Sequence, residues 1–185
     1  MGSSRFAKLL VLDLDETLLH ARGRGQVDLP WPHHHQVAQF RVHLRPGVED
    51  FMDEVLERFV AVGVWTSASR DYAVAMLERF VDRRRLRFIY TRDRCEQAFD
   101  AGGESYWVKD LCELEGFCFE PSSILAVDDK PRGFERSAAN IVPIQPFMGD
   151  PEDEELDKLL PFLIELGTLD DVRPFDKRGW SSHWA

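Results

Sequence analysis

A chain of 185 residues that is 44% hydrophobic and 30% charged has the apolar content for one core of ordinary domain size and too much of it for a disordered chain. Its formal charge of −10 at pH 7 opposes binding to the nucleic-acid backbone, which relies on phosphate neutralisation by Lys and Arg. Three cysteines, Cys95, Cys112 and Cys118, in no paired C-x-x-C spacing, argue against a disulfide framework or a cysteine zinc site and leave reduced thiols as the expectation. The apolar run 9–12 is cut off by Asp13 and Asp15, too soon for a membrane span or a signal-peptide core. The expectation is therefore a cytoplasmic protein of one domain, 1–185, with neither nucleic acid nor membrane as partner, and with 173–185 as a tail.

In chain order, 7–12 reads as a strand buried on both faces, followed by a polar loop at its carboxyl end. Residues 21–36 hold Gly, Pro and the tract His33-His34-His35 without periodicity, and Val37, Phe40, Val42 and Leu44 then resume an apolar pattern. This predicts a loop and hairpin excursion. Pro46 suits a first helical turn, and Val48, Phe51, Met52, Val55, Leu56 and Phe59 follow at helical spacing. A strand is expected over 60–65, a helix over 72–80, and a strand where Leu86, Phe88 and Tyr90 alternate with Arg87 and Ile89. Residues 91–106 show no period and suggest an inserted loop or flap. Short helices are expected at 111–114 and 131–138, strands at 124–127 and 141–144, and a helix over 152–166 that Pro161 kinks or divides. Alternating strands and helices without repeat or linker predict an α/β fold around a mostly parallel sheet flanked by helices, with its ligand site at the carboxyl ends of the strands.

Those strand ends carry chemistry. Asp13 and Asp15, two residues apart, project to one side if extended geometry persists. Paired carboxylates raise one another's pKa and a bound divalent cation lowers it, so one acid acts as nucleophile while the other holds a proton. The alternative is a solvated turn with Asp15 or Thr17 capping a helix. Thr66 and Ser67 close the next strand, where hydroxyls and free N–H groups hold an anion or simply cap a helix. Asp128 and Asp129 repel unless a cation offsets them, or else they favour the helix N-terminus ahead of Pro131. Lys109, taken singly, reads as a surface lysine. The conjunction changes the balance: three strands deliver acids, hydroxyls and acids to one edge, with Lys109 before the last, and a phosphoryl group reacting at a carboxylate needs that set.

Through Asp13-Leu14-Asp15-Glu16-Thr17, Thr66, Lys109 and Asp128-Asp129 the chain resembles the haloacid-dehalogenase superfamily of aspartyl-phosphate phosphatases. Within it, Leu44-Arg45-Pro46-Gly47, Trp65-Thr66-Ser67, residues 92–95, Val108-Lys109-Asp110-Leu111 and Leu159-Leu160-Pro161-Phe162-Leu163 resemble the small phosphatases of the RNA polymerase C-terminal domain, over about 9–172. The resemblance implies a Rossmann-like α/β fold with small hairpin or flap insertions and no large cap domain. It also implies a magnesium (Mg2+) cofactor and a phosphorylated protein or peptide substrate. By that resemblance Asp13 is the nucleophile and Asp15 the general acid and base, whose main-chain carbonyl also meets the metal. Thr66, Ser67 and Lys109 hold the phosphoryl group, Asp128 and Asp129 complete the metal site, and Arg92 touches the substrate. The family usually has Asp-Asn where this chain has Asp128-Asp129, and the segments 20–45 and 96–105 diverge. A phosphatase of small phosphate esters, or a non-catalytic binding module of the same fold, are the competing readings.

Among the remaining residues, His33-His34-His35 suits a solvated loop better than a metal site, because consecutive side chains point apart. Tyr90, Phe99, Tyr106 and Trp107 are candidates for an apolar pocket beside the phosphate site, or for core packing. Arg83-Arg84-Arg85 reads as a solvated helix end, and Trp180 and Trp184 pack on the domain or meet another subunit.

Overall fold

The structure is a computed structural model and describes residues 5–183; Trp184 lies outside them. Strand β1 (Phe6–Leu12) is followed by β2 (Leu19–Arg22), β3 (His35–Val37), β4 (Phe40–Leu44), α1 (Val48–Arg58) and β5 (Phe59–Trp65). Next come α2 (Arg70–Leu77), β6 (Ile89–Tyr90), β7 (Glu96–Phe99), β8 (Ser105–Val108), β9 (Ile124–Asp128), β10 (Ile141–Pro143) and α3 (Glu155–Gly167). Strands β10-β9-β1-β5-β6 form one sheet in which every pairing is parallel. The mostly parallel α/β sheet expected from the sequence is thus present, and β1 lies at its centre with Leu9 opposite Ala61 on one side and Ile124 on the other.

Being central, β1 must be apolar on both faces, and its alternation divides the core. Leu10 and Leu12 join a cluster with Phe51, Val55 and Leu163 from α1 and α3, whereas Leu9 and Val11 join Trp65, Leu111, Leu114 and Phe134. The second face is covered by the short helices expected at 111–114 and 131–138, which are 3-10 segments, Leu111–Phe117 and Pro131–Asn140. The second of these is interrupted by non-helical backbone at Phe134 and Ser137, so each piece is too short to sustain an α-helix. Close layering on this face needs Gly63 in β5, where a Cβ would lie 2.4 Å from the Phe88 ring.

Helix α3 runs undivided through Pro161. The lost hydrogen bond is outweighed by burial of Leu156, Leu159, Phe162, Leu163 and Leu166 along one stripe. The alternation predicted from Leu86 gives only two residues of strand, although Arg87 N–H already reaches Val62 O at 2.7 Å.

Two insertions rise from the strand ends. The excursion after β1 is a three-stranded antiparallel sheet in the order β2-β4-β3, and the unpatterned stretch before Lys109 contains the hairpin β7–β8. The expected tail folds back: Trp180 stacks on Phe162 at 5.6 Å and donates its indole N–H to Pro143 O. Lys177, also buried, donates to the carbonyls of Ala139, Val172 and Phe175. Among the described residues no helix is long and apolar enough to cross a membrane.

Candidate active site

Asp13 leaves β1 still hydrogen-bonded to the sheet, its N–H meeting Val127 O at 2.9 Å. The chain then turns sharply, with Glu16 in the left-handed region at φ 60° and Leu18 N–H closing onto Leu14 O at 2.9 Å. Buried Leu14 and Leu18 anchor the turn from below, which directs the polar residues between them toward the strand ends. Arg45, fully buried, ties this loop to a distant segment. Its guanidinium forks onto the Asp153 carboxylate at 2.8 and 2.9 Å and donates to the carbonyls of Thr17 and Gln145.

The strand ends enclose a cleft of about 580 Å3 lined by Asp13, Asp15, Thr66, Ser67, Lys109, Asp128 and Asp129. These are seven of the eight residues singled out from the sequence. The eighth, Arg92, lies in the adjoining groove, where its Nε donates to Ser67 O at 2.7 Å and its guanidinium stacks over Trp107.

Lys109 is a buried cation whose Nζ donates to Asp13 Oδ1 and to Asp128 Oδ2, each at 2.5 Å. Burial opposes its charge, but Asp128 and Asp13 together hold the ammonium above its ordinary range. Carboxylates outnumber this cation, so the cluster's excess is negative. Burial pushes Asp13 up to about 8, Lys109 counteracts, and Asp128 and Asp15 add repulsion. Burial also raises Asp129, opposed by Lys130, whose Nζ lies 3.3 Å from Asp129 and 3.1 Å from Glu16. Asp128 Oδ1 accepts Lys130 N–H at 2.7 Å.

Asp13, Asp128 and Asp129 each place a carboxylate oxygen within 4.8 Å of the others. Asp129 Oδ1 is buried and has no hydrogen-bond partner, a costly state for a carboxylate unless a cation is coordinated there. An all-oxygen, anionic donor set suits a hard divalent ion, so the residues present fit magnesium. The Asp15 carboxylate stands apart from this cluster. It accepts from the Tyr72 hydroxyl at Oδ1 and from Thr66 Oγ1 at Oδ2, 3.4 Å away. Burial raises its pKa, and the Tyr72 hydrogen bond works against that.

Sequence reasoning missed Tyr72, Lys130 and Glu16. Glu16 and Lys130 lie next to the singled-out Asp15 and Asp129 and line the cleft, whereas Tyr72 has no singled-out neighbour in the chain and reaches Asp15 from the adjoining groove. Tyr90, Phe99, Tyr106 and Trp107, candidates for an apolar pocket or for core packing, divide between these roles and the surface. Tyr106 and Trp107 line the cleft, Tyr90 packs with Phe88 and Phe117, and Phe99 is 66% exposed on the hairpin. The apolar groove lies on the other side, about 620 Å3, walled by Val37, Phe40, Tyr72, Ala75 and Met76. Arg83 and Arg84 are paired locally with Glu78 and Asp82, and Arg85 pairs with Asp53 of α1. In the histidine tract, His34 Nδ1 accepts Leu44 N–H at 3.0 Å and so pins the loop to β4.

The family model of the NLI interacting factor-like phosphatases matches residues 8–173. A relative named CTD nuclear envelope phosphatase 1 homolog from Drosophila melanogaster is 32% identical over 189 residues, covering 95% of this chain and 74% of that protein. The Caenorhabditis elegans protein of the same name is 34% identical over 181 residues, covering 90% of this chain and 69% of the relative. Among solved structures, the fission yeast RNA polymerase II CTD phosphatase Fcp1 bound to beryllium fluoride aligns with a TM-score of 0.56 at 18% identity, over 88% of this chain and 51% of that one. The N-terminal phosphatase domain of BF1531 from Bacteroides fragilis, complexed with Mg, aligns with a TM-score of 0.50 at 16% identity, over 91% of this chain and 42% of that one. Both likenesses concern the fold.

Proposed function

The chain belongs to the NLI interacting factor-like phosphatases and is a phosphoric monoester hydrolase, and from that premise we propose that it acts on phosphoserine or phosphothreonine in protein, with Mg2+ and through an aspartyl phosphate on Asp13. The observation that carries this reading is the convergence of Asp13, Asp128 and Asp129 within one coordination distance, beside Lys109 and with Asp129 Oδ1 unpartnered.

Magnesium, held by Asp13, Asp128, Asp129 and the main-chain carbonyl of Asp15, would offset the negative charge that the carboxylates and the phosphoryl group bring together. A carboxylate oxygen of Asp13 attacks phosphorus, and the bond from phosphorus to the ester oxygen breaks. Asp15 gives its proton to that oxygen, so the alcohol leaves neutral. Water then attacks phosphorus of the aspartyl phosphate while Asp15 takes its proton, which frees inorganic phosphate and restores Asp13. Lys109, Thr66 and Ser67 hold the phosphoryl oxygens as charge develops on them. Arg92, at the junction of cleft and groove, contacts the phosphorylated residue's flank.

A protein substrate is supported by relatives named as CTD phosphatases and by the apolar groove that opens beside the cleft. The test is p-nitrophenyl phosphate turnover with magnesium, with EDTA and in Asp13→Asn, followed by phosphoserine, phosphothreonine and small-ester panels. Magnesium-dependent turnover is expected to fall by at least ~10^3 in the variant. Turnover that survives both controls would refute the aspartyl mechanism, and faster hydrolysis of small esters than of phosphopeptides would refute the protein substrate.

A further inference from the structure

We propose that Tyr72 is a positioning residue for the general acid: its hydroxyl holds Asp15 Oδ1 so that Oδ2 is the oxygen presented to the leaving group. The proposal rests on the reading of Asp15 given above, and the tests separate the two.

The Asp15 carboxylate has two side-chain partners with different fates. Thr66 Oγ1 is one, at 3.4 Å from Oδ2. Thr66 lines the cleft, where it serves the phosphoryl group, so a bound substrate competes for its hydroxyl and releases Oδ2. Tyr72 is the other, donating to Oδ1. It lines the apolar groove and not the cleft, so a phosphoryl group leaves its hydrogen bond intact. Once substrate is bound, Tyr72 is the group that fixes the orientation of Asp15, and Oδ2, next to Thr66 and the phosphoryl position, is free to carry the proton.

Tyr72 is itself well held. It sits in the first turn of α2, where Ala73 N–H bonds to Ser69 O at 2.9 Å. Its ring meets Phe40 of β4 edge-on, with centroids 5.1 Å apart and planes at 80°. One side chain of α2 thus contacts both the inserted sheet and the loop after β1. Proton delivery needs Asp15 within hydrogen-bond reach of the ester oxygen, and misplacement by about 1 Å costs on the order of 100-fold in rate.

The experiment uses Tyr72→Phe, which keeps the ring against Phe40 and removes the hydroxyl alone, with a melting curve to establish that it folds. Rates are measured with magnesium on p-nitrophenyl phosphate, phenyl phosphate and a phosphoserine peptide, whose leaving oxygens need a proton increasingly. The expected result is a kcat loss that grows along the series, from about twofold to between 10-fold and 100-fold, with KM changed by less than about twofold. In the Asp15→Asn background the same substitution should add nothing. An equal loss on all three substrates, a change confined to KM, or a full further loss in Asp15→Asn overturns the role of Tyr72 and leaves that of Asp15 standing. An Asp15→Asn variant that itself shows no leaving-group dependence overturns both.

Discussion

At the scale of single residues, the cleft concentrates carboxylates beyond what its cations neutralise, and its stability reflects that. Asp13, pushed up to about 8 from an ordinary 3.8 mainly by burial, binds a proton in the folded state that the unfolded chain releases. Between those two pH values the folded protein carries more protons, so the contribution of this group to stability is greatest below pH 3.8 and falls as pH rises through 8. Asp13→Asn, fixed in the neutral form, should therefore melt higher than the parent in EDTA at pH 7.5, with the gap closing near pH 4. Each kcal/mol gained would appear as about 2–4 °C. If Asp13 is a metal ligand as proposed, magnesium should stabilise the parent more than the variant. A variant that melts lower at pH 7.5 would show that Asp13 serves the fold as an ion-pair partner of Lys109 rather than bearing a cost for catalysis.

At the scale of elements, the insertions are built to hold the site rather than to cover it. Arg136 links the β7 residue Glu96 to Asp110, and Arg132 stacks over Tyr106 of β8 while pairing with Asp100. The hairpin is thereby fastened to the segment that follows Asp128-Asp129. The inserted sheet carries a different burden. His20 and His43 face each other across β2 and β4, both buried, and His43 Nδ1 lacks a partner. Burial, helped by His20, His34, His33 and Arg22, lowers His43 from 6.5 to about 4. The folded state refuses a proton that the unfolded chain accepts between those values, so this stability is complete above pH 6.5 and is lost as pH falls through 4. Urea unfolding at pH 7, 6, 5 and 4.5 should give a declining midpoint in the parent and a flatter one in His43→Gln. Parallel declines would assign the acid sensitivity to other groups.

At the scale of the molecule, the five-stranded sheet is closed at its far end by the segment after α3, through Trp180 on Phe162 and Lys177 on three carbonyls. Trp180→Ala should cost about 3–5 kcal/mol in urea unfolding, and a loss below about 1 kcal/mol would mean that the segment only rests on the core. Much of this architecture was legible beforehand because it depends on local pattern. Alternating apolar runs such as 9–12 and 124–127 specify buried strands wherever they occur. Asp13, Asp15, Thr66, Asp128 and Asp129 stood out because each follows such a run directly, and in a parallel sheet the strand ends meet on one edge. Lys109, singly a surface lysine, was legible only in conjunction with the strand-end residues and through the resemblance, since its partners lie 96 and 19 residues away. The bond from Tyr72 to Asp15 spans 57 residues, that from Arg45 to Asp153 spans 108, and that from Lys130 to Glu16 spans 114. The sequence by itself determined the order of polar and apolar residues along each strand and hence which groups reach the carboxyl edge of the sheet. Only the tertiary structure decided which of them touch, where the apolar groove opens, and that the short helices covering one face are 3-10 rather than α, because those outcomes depend on pairings between segments far apart in the chain.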